Sequence, residues 1–198
     1  MENPLELDHD VQGEPDELCR RIIVSDRSAF EEVFRRFRDE MLRYVRGIIR
    51  SESVAHDLVQ DVFVDLWGTR HTLDPSRSLK AFLYGMARNR ALRYLRDTRA
   101  HGRKHTLLQR EADTHISNGS ERDHDVDAAL LGDMLHQWIE ELPDRQQEAL
   151  MLSRYHDLSH HEIALVMDIS PRTVNNHIIR ALKHLNKRIQ TFEPAILK

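Results

Sequence analysis

Two helix-start signals close together in the last third of the chain leave little freedom in what it folds into. Ser159-His160-His161-Glu162 matches the S-x-x-E capping box, in which a hydroxyl and a carboxylate satisfy the free backbone N–H groups at a helix start. Ser170-Pro171 repeats the message shortly afterwards: a hydroxyl cap, then proline at the first helical position, where its missing N–H is not needed. The first helix must therefore stop near Met167, and the pair reads as a helix-turn-helix. With 31% charged residues and only 7 Gly and 6 Pro among 198, the rest of the chain also favours helices over strands and turns. The expected fold class is all-α, in two small helical domains joined by a flexible linker.

The helix from Pro171 is two-faced. At about 100° per residue, Val174, Ile178, Ala181, Leu182, Leu185 and Ile189 share one arc, the expected buried side. Arg172, Thr173, Asn176, His177, Arg180 and Lys183 share the opposite arc, with Asn175 on its flank and Ser170 at its start. Residues 170–191 hold five Lys/Arg and no acid, although the formal net charge of the chain is -4. Guanidinium, amide and hydroxyl groups bond to phosphates and to base edges in a major groove, whereas a carboxylate there would repel the backbone. Duplex DNA is the expected contact, and a merely solvated basic helix is the competing reading.

Charge is segregated along the whole chain. Residues 1–19 carry seven acids and no Lys or Arg, residues 79–110 carry nine Lys/Arg against Asp97 alone, and residues 111–148 carry eleven acids against Arg122 and Arg145. Apolar periodicity predicts helices over 28–50, 53–67 and 79–97, and helical patterning resumes from about 128 to 142. The expected organisation is an acidic tail (1–24), a first domain (25–97), a flexible linker (98–127), a second domain (128–190) and a short tail (191–198).

Within the first domain, Phe82, Gly85, Asn89, Arg93 and Arg96 recur at threes and fours on one stripe. An aromatic, an amide and guanidinium groups in line suit unpaired bases, by stacking, edge reading and phosphate binding; Phe82 as a plain core residue is the alternative. On the preceding helix, Leu58, Val59, Val62, Phe63 and Leu66 form an apolar stripe opposite Asp57, Gln60, Asp61 and Asp65. An acidic face is no DNA face, so it is either solvated surface or a dock for a basic protein partner.

Cys19 is the only cysteine, which rules out an internal disulfide and suits a reducing cytosol. The opening residues lack the pattern of a signal peptide, and no run approaches a membrane span, so a soluble, cytoplasmic protein with no membrane insertion is expected. Despite 13 His, His160, His161 and Glu162 do not complete H-E-x-x-H, because Leu165 stands three residues after the Glu. No metal, cofactor or catalytic residue is expected.

AHDLVQDVFVDLW, LKAFLYGMARNRALRYLRDTR and LPDRQQEALMLSRYHDLSHHEIALVMDISPRTVNNHIIRALKHL together resemble bacterial RNA polymerase sigma factors of the extracytoplasmic-function (ECF) group. The resemblance covers about residues 25–190 and implies two domains, regions two and four, and a function in transcription initiation without enzymatic activity. It implies that Asp57, Leu58, Gln60, Asp61, Val64 and Asp65 bind the β′ subunit of core polymerase, with β as a further partner. It also implies that the loop from His71 to Ser78, with Lys80, Phe82, Arg88, Asn89, Arg93 and Arg96, melts and reads the minus-ten element as single-stranded DNA. Ser170, Arg172, Thr173, Asn175, Asn176, His177 and Arg180 would read the minus-thirty-five element as duplex, and an anti-sigma factor is implied as a regulator. Three positions depart from the family pattern: Phe82 where Trp is common, Asp168 for the frequent turn Gly, and His177 where Arg or Lys is usual. A conventional helix-turn-helix regulator, binding duplex without core polymerase, is the alternative function.

Overall fold

The computed structural model describes residues 17–102 and 134–196, all helix and connecting turn, with no strand among the described residues. The acidic stretch 1–16, most of the expected linker and the start of the helix expected from 128 lie outside them.

In the first half, α1 (Glu17–Ile23), α2 (Arg27–Ile49), α3 (Glu52–Thr69) and α4 (Leu79–Gly102) form one bundle. The charge pattern groups residues 17–23 with the acidic tail, but Cys19 and Ile22 alternate with charged neighbours at helical spacing and are buried. That turn of helix belongs to the bundle. Asp26 starts α2 by accepting from the N–H groups of Ser28 and Ala29 at 2.8 and 3.2 Å. Its carboxyl pKa falls to about 2, chiefly through the Ser28 hydroxyl and then Arg21.

Val33, Met41 and Val45 of α2, Val62 and Leu66 of α3, and Leu83, Ala87 and Ala91 of α4 are fully enclosed at the spacing the periodicity demands. Each of the larger ones contributes roughly 1.5–3 kcal/mol by leaving water. Phe30 meets Trp67 and Phe34 meets Phe63 edge-on, at centroid distances of 5.1 and 4.8 Å, locking α2 to α3.

After α3, a 3-10 turn (Arg70–Thr72) leads into the loop before α4. Arg70 stacks over Trp67 at 4.5 Å and donates to Ser25 at 2.9 Å, which ties this loop to the end of α1. Ser78 then caps α4, its hydroxyl accepting from the Ala81 N–H at 3.1 Å. The helix runs five residues beyond the expected end at Asp97, because nothing in Thr98-Arg99-Ala100 breaks it.

In the second half, α5 (its described part is 134–140), α6 (Asp144–Arg154), α7 (His160–Met167) and α8 (Pro171–Ile196) pack together. The capping box is complete: Glu162 N–H donates to the Ser159 hydroxyl at 3.3 Å, and the Ser159 N–H donates to the Glu162 carboxylate at 2.8 Å. Asp168 closes α7 in the left-handed region at φ 54°, giving its N–H to Ala164, so the turn survives without glycine. Ser170 starts α8 by accepting from the Thr173 N–H at 3.1 Å.

The two halves touch. α4 lies along α7, and between them sits a polar seam with an aromatic centre. Tyr44, Tyr84 and His156 face one another at centroid distances of 5.1 to 5.7 Å. Glu148 of α6 reaches across to Arg88 and Tyr44, and the Ser78 hydroxyl donates to Glu162 in a short hydrogen bond. Both helix-start residues thus meet at the seam.

Candidate nucleic-acid interface

On α8 the buried arc is narrower than expected. Val174, Ile178, Ala181 and Leu185 are buried, but Leu182 is 40% exposed and Ile189 is equally open. Both belong instead to an apolar groove of about 620 Å³ between α5, α6 and α8, which also takes Leu135, Ile139, Tyr155 and Ile179. Apolar side chains grouped in a groove mark a protein contact more often than scattered ones do.

The polar arc of α8 is presented as its pattern demands. Ser170, Arg172, Asn175, Asn176 and Arg180 are exposed, Thr173 is half-buried, and Arg172 and Arg180 have no ion-pair partner among the described residues. His177 differs, because its Nδ1 is buried without a hydrogen-bond partner. It faces partly into the fold, which limits it as a DNA contact. Arg188, unopposed along the sequence, pairs with Glu141 from the turn after α5.

On α4 the stripe is open. Phe82 is 41% exposed, so it is not a core residue, and Asn89, Arg93 and Arg96 stand outward beside it. Gly85 adds no bulk, and even a Cβ there would meet nothing within 4 Å, so the helix face is flat and unobstructed. Lys80 is half-buried toward the seam.

Arg88 departs from the sequence expectation. Its side chain is only 7% exposed, and Nε donates to Glu148 Oε1 at 2.7 Å while Nη2 donates to Oε2 at 3.4 Å. Helical spacing, at about 100° per residue, places Arg88 roughly a third of the way round the wheel from Phe82 and Asn89, on the flank that meets the second half. Nothing in the local sequence signals that an acid sixty residues away will be there.

The acidic face of α3 is partly claimed from within. Arg90 of α4 donates to Asp61 at 2.9 Å and, more closely still, to Asp65. Asp57 and Gln60 stay exposed, Leu58 is half-buried against the core, and Val64 is 63% exposed. An exposed valine among carboxylates is what a protein partner, rather than water, would use.

Four surfaces are therefore laid out: a polar cationic helix-turn-helix face, an aromatic-cationic stripe, an acidic face with an apolar residue in it, and an apolar groove. Together they define a multi-surface DNA-binding protein built to hold protein partners as well. Residues 33–101 match the Sigma-70 region 2 family, and residues 132–185 match the Sigma-70 region 4 family. The RNA polymerase sigma-H factor of Pseudomonas aeruginosa is 26% identical over 188 residues, spanning 91% of this chain and 96% of that protein. The ECF RNA polymerase sigma factor SigM of Bacillus subtilis is 25% identical over 156 residues, or 78% and 91% of the two chains. Among solved structures, the sigma factor RpoE in complex with the anti-sigma factor NepR from Bartonella quintana shares the fold at a TM-score of 0.60. It is 19% identical, over 81% of this chain and 96% of that one. The chain belongs to the sigma-70 family of bacterial RNA polymerase sigma factors, in its ECF group.

No helix among the described residues is long and apolar enough to cross a membrane.

Proposed function

We propose that this sigma factor divides its labour among these surfaces: α3 docks on core RNA polymerase, α4 opens and reads the minus-ten strand, and α8 reads the minus-thirty-five duplex. One observation carries the reading. A single chain presents an acidic face and two cationic faces on separate helices, and each face has the chemistry its partner requires.

On α3, Asp57, Gln60, Asp61, Val64 and Asp65 form the dock for the β′ subunit, with Leu58 supporting them from beneath. Arg90 holds the Asp61 and Asp65 carboxylates side by side, which spares the partner the work of ordering them. Phe82 stacks on an unpaired base while Asn89 reads an edge, and Arg93 and Arg96 bind phosphates. Arg172 and Asn176 face the major groove, flanked by Asn175 and Arg180, with Ser170 and Thr173 at the helix N-terminus near the backbone. The groove of Leu182 and Ile189 is the protein-binding side of region four, and the β subunit is its partner there. An anti-sigma factor, like the one bound to the Bartonella protein, regulates the chain by covering these surfaces. The protein supplies recognition and no catalytic chemistry, and it works in the cytoplasm.

The test is reconstituted transcription. Core polymerase with this chain should yield transcripts with defined start sites from a genomic promoter library. Absence of such transcripts, with a duplex site shifted by the chain alone, would support a conventional regulator instead.

A further inference from the structure

Ser25 stands where helix ends usually place a glycine. It follows α1 in the left-handed region, at φ 67°. Its N–H donates to the Ile22 carbonyl at 2.8 Å, and the next N–H, that of Asp26, donates to the Arg21 carbonyl at 3.0 Å. A helix end closed by this pair of bonds favours glycine, and a side chain there costs stability. The hydroxyl has its partner elsewhere: it accepts from Arg70 Nε at 2.9 Å, across forty-five residues of sequence. A strained residue kept for a long-range contact points to a role for that contact.

Arg70 begins the 3-10 turn that leads out of α3. Its Nη1 donates to the Trp67 carbonyl at 2.6 Å, and the guanidinium lies over the Trp67 ring at 4.5 Å. Two bonds and a stacked face leave a planar group one orientation. Beside it, His71 Nδ1 meets the Ile23 carbonyl at 3.1 Å; a carbonyl only accepts, so Nδ1 is the donor. The loop between α3 and α4 therefore starts with two residues fastened to the end of α1.

The far half of that loop orders itself. Asp74 accepts from the Ser76 N–H at 3.0 Å and from its hydroxyl at 2.6 Å, and the Arg77 N–H donates to the Asp74 carbonyl at 3.0 Å. Between the two anchors Leu73 packs against the core, while Thr72, Asp74, Ser76 and Arg77 are exposed. A polar loop discriminates between ligands only when its groups are held in place beforehand.

We propose that the Ser25 turn is a specificity brace for the loop that meets the minus-ten strand. Ser25 holds Arg70, and Arg70 holds the exposed polar groups of residues 72–77 in position for an unpaired base. Ser25 and Arg70 are positioning residues and not DNA contacts. Ser25 also lies ahead of residues 33–101, the stretch that matches Sigma-70 region 2. The brace rests on the sigma reading for what the loop reads.

The test uses the full chain with core polymerase on templates whose minus-ten element is randomised and whose minus-thirty-five element is fixed. Sequencing the transcripts gives the base preference at each position. Ser25→Gly suits the left-handed turn and removes the hydroxyl. Its melting temperature should equal or exceed that of the parent. Its discrimination should fall about fivefold, the factor one net hydrogen bond is worth, at one or two positions of the minus-ten element. Preference at the other positions and binding to core enzyme should be unchanged.

Arg70→Gln, whose shorter side chain no longer reaches Ser25, should alter the same positions, and the double variant should do no worse than Arg70→Gln alone. A Ser25→Gly variant with the parent's base profile overturns the brace, as does a loss spread evenly over all positions or a double variant whose losses add. Absence of start-site-specific transcripts even with the parent would instead remove the sigma reading, and the brace's role with it.

Discussion

α4 and α8 begin from the same premise and end differently. Both are long basic helices with an apolar side and an expected DNA side. α8 keeps that side open, with Arg172, Asn176 and Arg180 exposed. α4 distributes its arginines three ways: Arg93 and Arg96 outward, Arg90 onto Asp61 and Asp65, and Arg88 into the seam with Glu148. The difference lies in the neighbourhood, since α4 is flanked by an acidic helix on one side and by α6 on another, and α8 has its polar arc to itself. A run of positive charge in sequence gives the number of cations on a helix, and distant carboxylates decide which of them are available.

If α4 depends on α3 as its geometry indicates, Asp61→Arg should have the largest effect of any single change. It replaces an attraction to Arg90 with a repulsion and inverts the charge at the centre of the proposed polymerase dock. Binding to core enzyme, followed by gel filtration, should be abolished, while the chain alone keeps the helical circular dichroism of the parent. Loss of both would mean that the substitution unfolds the bundle and that the dock was not tested.

The open face of α8 should fail in the complementary way. Arg172→Ala or Asn176→Ala should weaken use of the minus-thirty-five element by about 1–3 kcal/mol for each lost base contact. Run-off transcription with core polymerase in excess is the measurement, and core association should be unchanged.

The seam should respond to acid. Burial, with Arg43 and Lys80 acting in the same direction and Asp157 opposing, lowers the His156 pKa from 6.5 to about 4. Tyr44 and Tyr84 are pushed upward, mainly by burial, and stay neutral. When the halves part, the imidazole regains its ordinary value, so the open form takes up the proton first. Closure should therefore be strongest above about pH 6.5 and weaken steadily as the pH falls toward 4. Scattering across that range should show the particle expanding, and His156→Gln should flatten the response.

The smallest effect belongs to the turn. Asp168 is left-handed at φ 54°, a conformation that costs a residue with a Cβ and is free for glycine. Asp168→Gly should raise the stability of region four by roughly 0.5–1 kcal/mol, measured by thermal unfolding, and leave promoter choice alone.

Most of the fold was readable from local chemistry. The capping box, Ser170-Pro171 and the spacing of Val33, Met41 and Val45 each express a rule that acts within one or two turns, and the structure obeys them. The outward stripe of Phe82, Asn89 and Arg93 was legible for the same reason. What escaped lies beyond such distances. Leu182 and Ile189 share the apolar arc of α8, but the arc is wider than the surface available to cover it, so they line a groove. Cys19 and Ile22 were hidden because they directly follow an acidic opening stretch, and Arg88 by an acid that only the tertiary fold brings near.

The central claim is that α4 and α8 of this chain take two separated promoter elements at once while α3 holds core polymerase. Spin labels at Asp39→Cys in α2 and His184→Cys in α8, both exposed positions with the native Cys19 buried, would report the distance between the halves. A short distance in the free chain, lengthening beyond about 45 Å when core polymerase and promoter DNA are added, is the expected result. The same short distance in both states would contradict the account.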